Sequence, residues 1–480
     1  MSMLKSVELK KFKCFEDSGI IEIKPLTILC GINSSGKSSI LKSLLMLKQS
    51  YNKNYDKNGL ILNGDYVSSG SYTDIAFGHK EANNFSIKNK FVLTKPLNSR
   101  DERSREDITA FKNIEKIYFN AGIKGISKIN IELEYNLKNN DMDNVLYKQI
   151  IHLQAISNEN DIVESEVVMS QTQDKKYTIN ISNFPCSTGD FVESLVLSDA
   201  VCYFDGFKIV NLYANSIKPH GFDIATVLAN LYNIFRYTGS MYKNIHYITP
   251  LRVYPKRIYF DEIDVENVGV SGEFTAQYLN KNQGLKLKGR GFLPLSHIGD
   301  YTLGEATNTW LKYFNMSNYD ISSTDFETLK VNIASDNIIN VGFGISQVLP
   351  ILVSGLNMNS ESLLLLEQPE IHLHPKAQMS MGDFLVGMAN ANKCAIVETH
   401  SDHIINRVVR RVMDGTIDIE NVAIYFVENF KEGATINSIK IDMVRGIYDA
   451  PTEFFTQFAS ESSEIFKIGM ENLRKRNENG

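Results

Sequence analysis

Gly31-Ile-Asn-Ser-Ser-Gly36-Lys37-Ser38 is a complete G-x-x-x-x-G-K-[ST] pattern, and that spacing is phosphate-binding chemistry. The two glycines let the backbone turn its N–H groups inward onto phosphate oxygens, and a following helix adds the partial positive charge of its N-terminus. Lys37 brings a point charge for the β- and γ-phosphates, and Ser38 a hydroxyl for Mg²⁺. Asn33, Ser34, Ser35 and Ser39 belong to the same nucleotide-binding set. Such a loop needs a carboxylate on a neighbouring strand to hold the metal's water shell, and Leu363-Leu-Leu-Leu-Glu367-Gln368-Pro-Glu370 offers Glu367 at a strand end. Gln368 follows, where a carboxylate would polarise the attacking water. A glutamine can orient a water and cannot accept its proton, so the expectation is slow hydrolysis unless Glu370 substitutes.

Two further segments carry candidate site residues. Ala395-Ile-Val-Glu-Thr-His400-Ser-Asp puts His400 at the tip of a strand, where imidazole can contact a γ-phosphate and sense its loss. In Asn340-Val-Gly342-Phe-Gly344-Ile-Ser346-Gln347 the apolar run Val348 to Val353 follows directly, so Ser346 reads as the N-cap of a new helix. Gly344, the Ser346 hydroxyl and the helix amides, with Gln347 beside them, can bind phosphate there. Taken singly, each segment also has a bland reading as a buried strand, a structural histidine or a capped helix.

These residues need elements to hold them. Leu26 to Cys30 reads as a buried strand ending at Gly31, and Ile40, Leu41, Leu44, Leu45 and Leu47 form one apolar stripe on the helix that follows Ser38. Between about Tyr51 and His246 the pattern changes to short alternating strands, such as Ile129 to Tyr135 and Tyr177 to Ile181, closed by a helix that Asp223 caps through Phe235. From Leu363 onward strand and helix alternate again: Leu363 to Leu366, a helix after Pro375, Ala395 to Val397 and a helix from Asp402. Val422 to Val427 and Thr435 to Ile441 read as a hairpin, followed by a helix from Pro451 through Phe466. The expected fold is α/β, a P-loop ATPase with a mainly parallel sheet, an antiparallel β lobe and a helical/β insertion. The expected domains are 1–80 with the phosphate loop, 81–290 as inserted lobe, 291–420 as the second ATPase part and 421–480 as a terminal hairpin-helix unit.

Composition restricts the class. The 480 residues are 43% hydrophobic and 22% charged, which suits a globular chain with a sizeable core and excludes a low-complexity or collagen-like one. Lys+Arg 50 against Asp+Glu 56 argues against coating nucleic acid by bulk positive charge. Cys14, Cys30, Cys186, Cys202 and Cys394 are scattered without C-x-x-C spacing, as expected in a reducing compartment. No signal-peptide core and no membrane-length apolar run is present, so the expectation is a cytoplasmic protein that spans no membrane.

In this order around a long insertion, the four segments resemble the ABC-type ATPases related to RecF, Rad50 and the overcoming-lysogenization-defect (OLD) nucleases. The resemblance implies that Gly31 to Ser38 is Walker A, Gly344 to Gln347 the signature, Leu363 to Gln368 Walker B and His400 the switch histidine. Glu-Gln-Pro-Glu-Ile-His-Leu-His-Pro and Glu-Thr-His-Ser-Asp-His are similar to the defence-associated PtuA (Septu) and AriA (PARIS) ATPases. That implies ATP and Mg²⁺ as cofactors, a homodimer or higher oligomer assembled around ATP, and a separate nuclease of HNH or Toprim type as partner. OLD relatives carry a fused nuclease, whereas Glu428, Asp442 and Asp449 here are too dispersed for its metal cluster, so the chain is not expected to cut nucleic acid itself. Three functional readings stay open from the residues: a slow ATPase that regulates a nuclease in antiphage defence, a DNA-repair or clamp ATPase acting on nucleic acid, and a nucleotide-bound scaffold without turnover.

Overall fold

The computed structural model describes residues 3–52, 59–95, 105–140, 143–187, 190–205, 207–216, 224–261, 265–287, 291–295, 299–323, 328–360, 362–430, 433–448 and 450–451. The strand Leu26–Gly31 is buried at every position but its last and shows no polar alternation, the pattern of a strand covered on both faces. It lies inside a seven-stranded sheet ordered Ile245–Ile248, Leu363–Glu367, Cys394–Glu398, Leu26–Gly31, Val422–Phe430, Gly433–Asp442 and Gly446–Tyr448. The first five are parallel, and the last two turn back as antiparallel strands. Alternate side chains sort to opposite faces. Leu29, Leu363, Leu365, Ile396 and Val427 join one core with the helix Lys37–Asn52. Ile28, Leu364, Leu366, Val397 and Ile424 join a second core with the helices Gly344–Asn357, Pro375–Asn390 and Asp402–Met413.

The larger sheet has nine strands and is antiparallel throughout. Seven of them, from Phe85–Thr94 to Lys208–Ser216, lie side by side in chain order, and the hairpin Met3–Phe12 with Phe15–Glu22 completes one edge. The expectation of a mainly parallel sheet is therefore corrected: it describes five strands around the phosphate loop, and the larger sheet is antiparallel. The physical reason is connectivity, because strands joined by short turns pair antiparallel whereas parallel neighbours need a crossover. The first hairpin pairs with this sheet through Leu9 opposite Ile87 and Val7 opposite Asn89, so the antiparallel lobe begins at the start of the chain.

Helix ends follow local chemistry. Ser401 caps Asp402–Met413 by accepting from Ile404 N at 3.1 Å, and His374 Nδ1 caps Pro375–Asn390 from Lys376 N at 3.3 Å. The fully buried Lys393 donates to Gly355 O and Leu356 O at 3.0 and 2.6 Å, satisfying the last carbonyls of Gly344–Asn357. The strand Gly446–Tyr448 was not expected. The helix Ile224–Ser240 is present, while its expected cap Asp223, Asp449, and the expected helix beyond Pro451 lie outside the described residues. Among the described residues no helix is long and apolar enough to cross a membrane.

Asp383 ties the last two of these helices together. With a wholly buried side chain it accepts from Arg411 Nε at 2.6 Å and from Tyr313 Oη at 2.6 Å, with Arg407 Nε at 3.6 Å. Replacing Asp383 with alanine removes the carboxylate beside Arg407 and leaves Arg411 with Asp414 alone, which costs about 1–3 kcal/mol for the buried donors left unsatisfied. Chemical denaturation of Asp383→Ala should show that loss; a loss under about 1 kcal/mol would contradict this account.

Candidate functional site

The phosphate loop leaves its strand at Gly31, whose φ of 133° favours glycine, and enters its helix through Gly36 at φ 111°. Close packing gives the same demand: a Cβ on Gly31 would collide with the Val427 carbonyl, and one on Gly36 with Cys14 Sγ. Asn429 Nδ2 holds the loop from the neighbouring strand by donating to Ser34 O at 3.3 Å. Lys37 is folded over the loop, donating to Gly31 O at 3.1 Å, Ile32 O at 2.6 Å and Ser35 Oγ at 3.4 Å. Burial lowers its pKa, opposed by the carboxylate of Glu398. The helix start is marked by Ser39 N donating to Gly36 O at 2.9 Å.

Three carboxylates lie at the same sheet edge as this loop. Glu367 and Glu398 end adjacent parallel strands as register partners. Tyr247 Oη donates to Glu367 Oε1 at 2.8 Å. Glu398 is hydrogen-bonded to Ser38, is 5% exposed, and keeps its Oε2 buried without a partner. Burial raises the pKa of both, and for Glu398 the neighbouring Glu367 charge adds to it. Glu370 is placed differently: Thr399 Oγ1 donates to its Oε2 and His400 N to its Oε1, each at 2.8 Å. Both oxygens are engaged in bracing the two strand-end loops. Glu370, expected as the stand-in for Gln368, thus braces the Thr399 and His400 segment in this geometry.

Gln368 sits in the left-handed region at φ 44° and donates its N–H to Glu398 O at 2.7 Å. Beneath it, Arg252 Nη2 donates to Glu367 O at 3.1 Å and Gln368 O at 3.2 Å, so a buried guanidinium pins the turn. Burial lowers that guanidinium to about 10, with Glu370 opposing the shift. The His400 ring is hydrogen-bonded to the Gly31 backbone, and burial together with Lys37 lowers its pKa, which favours neutral imidazole beside the loop.

Gly344, Ser346 and Gln347 stand apart from these groups. The neighbours of Gly344 are His372, Leu373 and Met316. Ser346 is not the N-cap: the helix Gly344–Asn357 begins after Phe343, and Ser346 lies in its first turn, its Oγ donating to Phe343 O at 2.7 Å. The physical reason is aromatic packing. Phe343 packs on Tyr254 at 4.9 Å and edge-on to His372 at 4.8 Å between ring centroids, which sets the chain into helix before the serine is reached. A cleft of about 390 Å³ opens here, lined by Gly342, Gly344, Met316, His372, His374 and Lys376 among others.

Sequence reasoning missed Glu398, Tyr247 and Arg252 as site residues. Glu398 did carry a signal, since Cys-Ala-Ile-Val-Glu ends an apolar strand in a carboxylate just as Leu-Leu-Leu-Leu-Glu does. Arg252 carried none, because a buried cation has no local periodicity. Among the described residues no group of three His, Cys, Asp or Glu side chains is placed to hold a metal alone. The oxygen donors Ser38, Glu367 and Glu398 nevertheless suit Mg²⁺ completed by phosphate and water, and the unpartnered Glu398 oxygen is the group such an ion would satisfy.

A family described as "AAA ATPase domain" matches residues 3–238 and 295–405, more than half of the chain. No curated protein matches it. Similar solved structures include the SMC head domain from Thermotoga maritima, at 11% identity and TM-score 0.36, covering 92% of this chain and 100% of that one. An SmcHead bound to the C-winged helix domain of ScpA has 10% identity, TM-score 0.38 and coverage of 92% and 99%. An Smc head domain with an extended coiled coil, bound to the C-terminal domain of ScpA derived from Pyrococcus furiosus, has 10% identity, TM-score 0.36 and coverage of 92% and 97%. Likenesses this distant carry no argument about this chain.

Adding a methyl group at Gly36 combines a strained φ with the collision at Cys14. Gly36→Ala should weaken nucleotide binding by about 5- to 150-fold, equivalent to the 1–3 kcal/mol of a strained backbone position. Fluorescent-nucleotide titration reads it, and unchanged affinity would show that the loop does not need this conformation.

Proposed function

This chain belongs to the AAA ATPase domain family, and from that premise we propose that it is a slowly turning-over ATPase that dimerises around ATP and regulates a separate nuclease in antiphage defence. The observation that carries the nucleotide part is the meeting of a glycine-shaped phosphate loop with Ser38, Glu367 and Glu398 at one sheet edge. In this reading the loop N–H groups of Gly31 to Ser38 cradle the phosphates, and Lys37 exchanges its contacts with the Gly31 and Ile32 carbonyls for phosphate oxygens. Ser38 and Glu367 would hold Mg²⁺, which would supply positive charge to the phosphates.

Slow turnover follows from the groups nearest the expected water. Gln368 can only orient it, and both Glu370 oxygens are already engaged. His400, neutral and bonded to the first loop residue, is placed to report whether a γ-phosphate is present. The helix start at Gly344, Ser346 and Gln347 packs against His372, Leu373 and Phe343 rather than the phosphate loop, and in this reading it completes the opposite site of a head-to-tail homodimer. The defence setting and the HNH or Toprim partner rest on the wording of the Glu367 and His400 segments, and on dispersed acidic residues in the terminal hairpin that leave nuclease chemistry to another chain.

Calorimetry with Mg-ATP tests the core of this proposal. The parent chain should bind and Lys37→Ala should not; equal affinity in both overturns the site. For turnover, Gln368→Glu should raise phosphate release by about 10-fold or more, in line with what a positioned base contributes. A parent that already releases phosphate at tens per second, within the usual enzyme range, would overturn the slow-turnover reading.

A further inference from the structure

We propose that Glu398 is a second carboxylate of the Mg²⁺ shell, acting with Ser38 and Glu367 to bind the divalent ion that accompanies the nucleotide. The inference rests on the nucleotide reading above and adds a residue to it. Three observations meet at this side chain. It ends the strand Cys394–Glu398, directly opposite Glu367 in a parallel register, so the two carboxylates leave the sheet edge side by side. It is hydrogen-bonded to Ser38, the hydroxyl that opens the helix after the phosphate loop. Its Oε2 is buried and has no hydrogen-bond partner, in a side chain only 5% exposed.

An ionised carboxylate oxygen buried without a donor is a costly arrangement, and a second carboxylate beside it makes it costlier. The nearby cations do not relieve it by contact. Lys37 spends its ammonium on Gly31, Ile32 and Ser35, and Arg252 donates through Nη2 to the Glu367 and Gln368 carbonyls, its buried Nε and Nη1 reaching no acceptor. The contrast with Glu370 is direct, because that carboxylate has one donor on each oxygen. Glu367, Glu398 and the Ser38 oxygen would hold a hard dication, which would supply the missing charge to an oxygen-rich site of the kind Mg²⁺ prefers. Tyr247 Oη donates to Glu367 Oε1 and so restricts the orientation of that carboxylate.

The test separates metal binding from nucleotide binding. ATP affinity is measured by calorimetry in EDTA and across a Mg²⁺ titration, and bound Mn²⁺ is followed by electron paramagnetic resonance, for the parent, Glu398→Gln and Glu398→Asp. The expected result is ATP affinity in EDTA within about twofold of the parent for Glu398→Gln, with the Mg²⁺ concentration for half-effect raised by at least about tenfold. The aspartate variant, which keeps a carboxylate, should recover part of that loss and retain the Mn²⁺ signal. If Glu398→Gln does not fold, the comparison runs between the parent and Glu398→Asp, where a changed Mn²⁺ spectrum supports the assignment and an identical spectrum and Mg²⁺ dependence overturn it. Unchanged Mg²⁺ dependence in Glu398→Gln likewise overturns the metal role while leaving the ATP reading intact. A parent that binds no ATP in either condition overturns the nucleotide reading itself.

Discussion

The register of five parallel strands is the constraint on which the rest of this molecule depends. Leu29 pairs with Glu398, Glu398 with Glu367, and Gly31 with Val427, so the phosphate loop and two acidic strand ends emerge along one line. Parallel strands hold such a register only when both faces are covered, and here alternate side chains enter two separate cores. A slip of one residue would send every apolar side chain to the wrong face, and would carry Glu398 away from Ser38 at the same time. Packing and chemistry are thereby enforced by the same alignment, and ligand groups collect at the carboxyl ends of the strands, as they do in open α/β sheets generally.

The antiparallel lobe supports that alignment from behind. The helix that starts at the phosphate loop runs on to Tyr51, whose hydroxyl lies 3.0 Å from that of Tyr135 and whose ring stacks on Tyr242 with centroids 5.4 Å apart. Phe207 of the same lobe packs edge-on against Tyr51 at 5.8 Å, and its N–H donates to Ser50 O at 3.0 Å. Aromatic pairs of this kind contribute about 0.5–1.5 kcal/mol each beyond their area, so the far end of the nucleotide helix is anchored by several such terms. The first hairpin joins the same sheet while Cys14, at its turn, backs Gly36. The lobe thus reaches the site through both ends of one helix.

Much of this was legible in the residues because the signals were local. The phosphate loop, the strands at Leu26, Leu363 and Ala395, and the helices after Pro375 and at Asp402 each carry a periodicity or a cap that needs no distant partner. What escaped was long-range. The pairing of Met3–Phe12 with Phe85–Thr94 joins segments separated by most of the loop, helix and linker chain, and nothing in either strand names its neighbour. Ser346 was misplaced because a serine before an apolar run satisfies the capping rule, while the aromatic contacts of Phe343 that start the helix earlier come from Tyr254 and His372. Glu370 could be recognised as a carboxylate near the loop, but its two donors, Thr399 and His400, belong to the loop after another strand roughly thirty residues away.

Buried charge at this edge divides into two kinds, and the division explains how a stable fold keeps an acidic site. Glu370 and Asp383 are both fully partnered, and each fastens one element to another. Glu367 and Glu398 receive less: one tyrosine hydroxyl, one serine hydroxyl and an oxygen with no donor at all. An unsatisfied buried acceptor costs about 1–3 kcal/mol and more when charged, which is a sizeable fraction of a domain's net stability. Local rules broken without local compensation mark the places where a fold is subordinated to binding. On the proposed reading a cation brought in with the nucleotide supplies that compensation, since the ammonium of Lys37 is already committed to the Gly31 and Ile32 carbonyls.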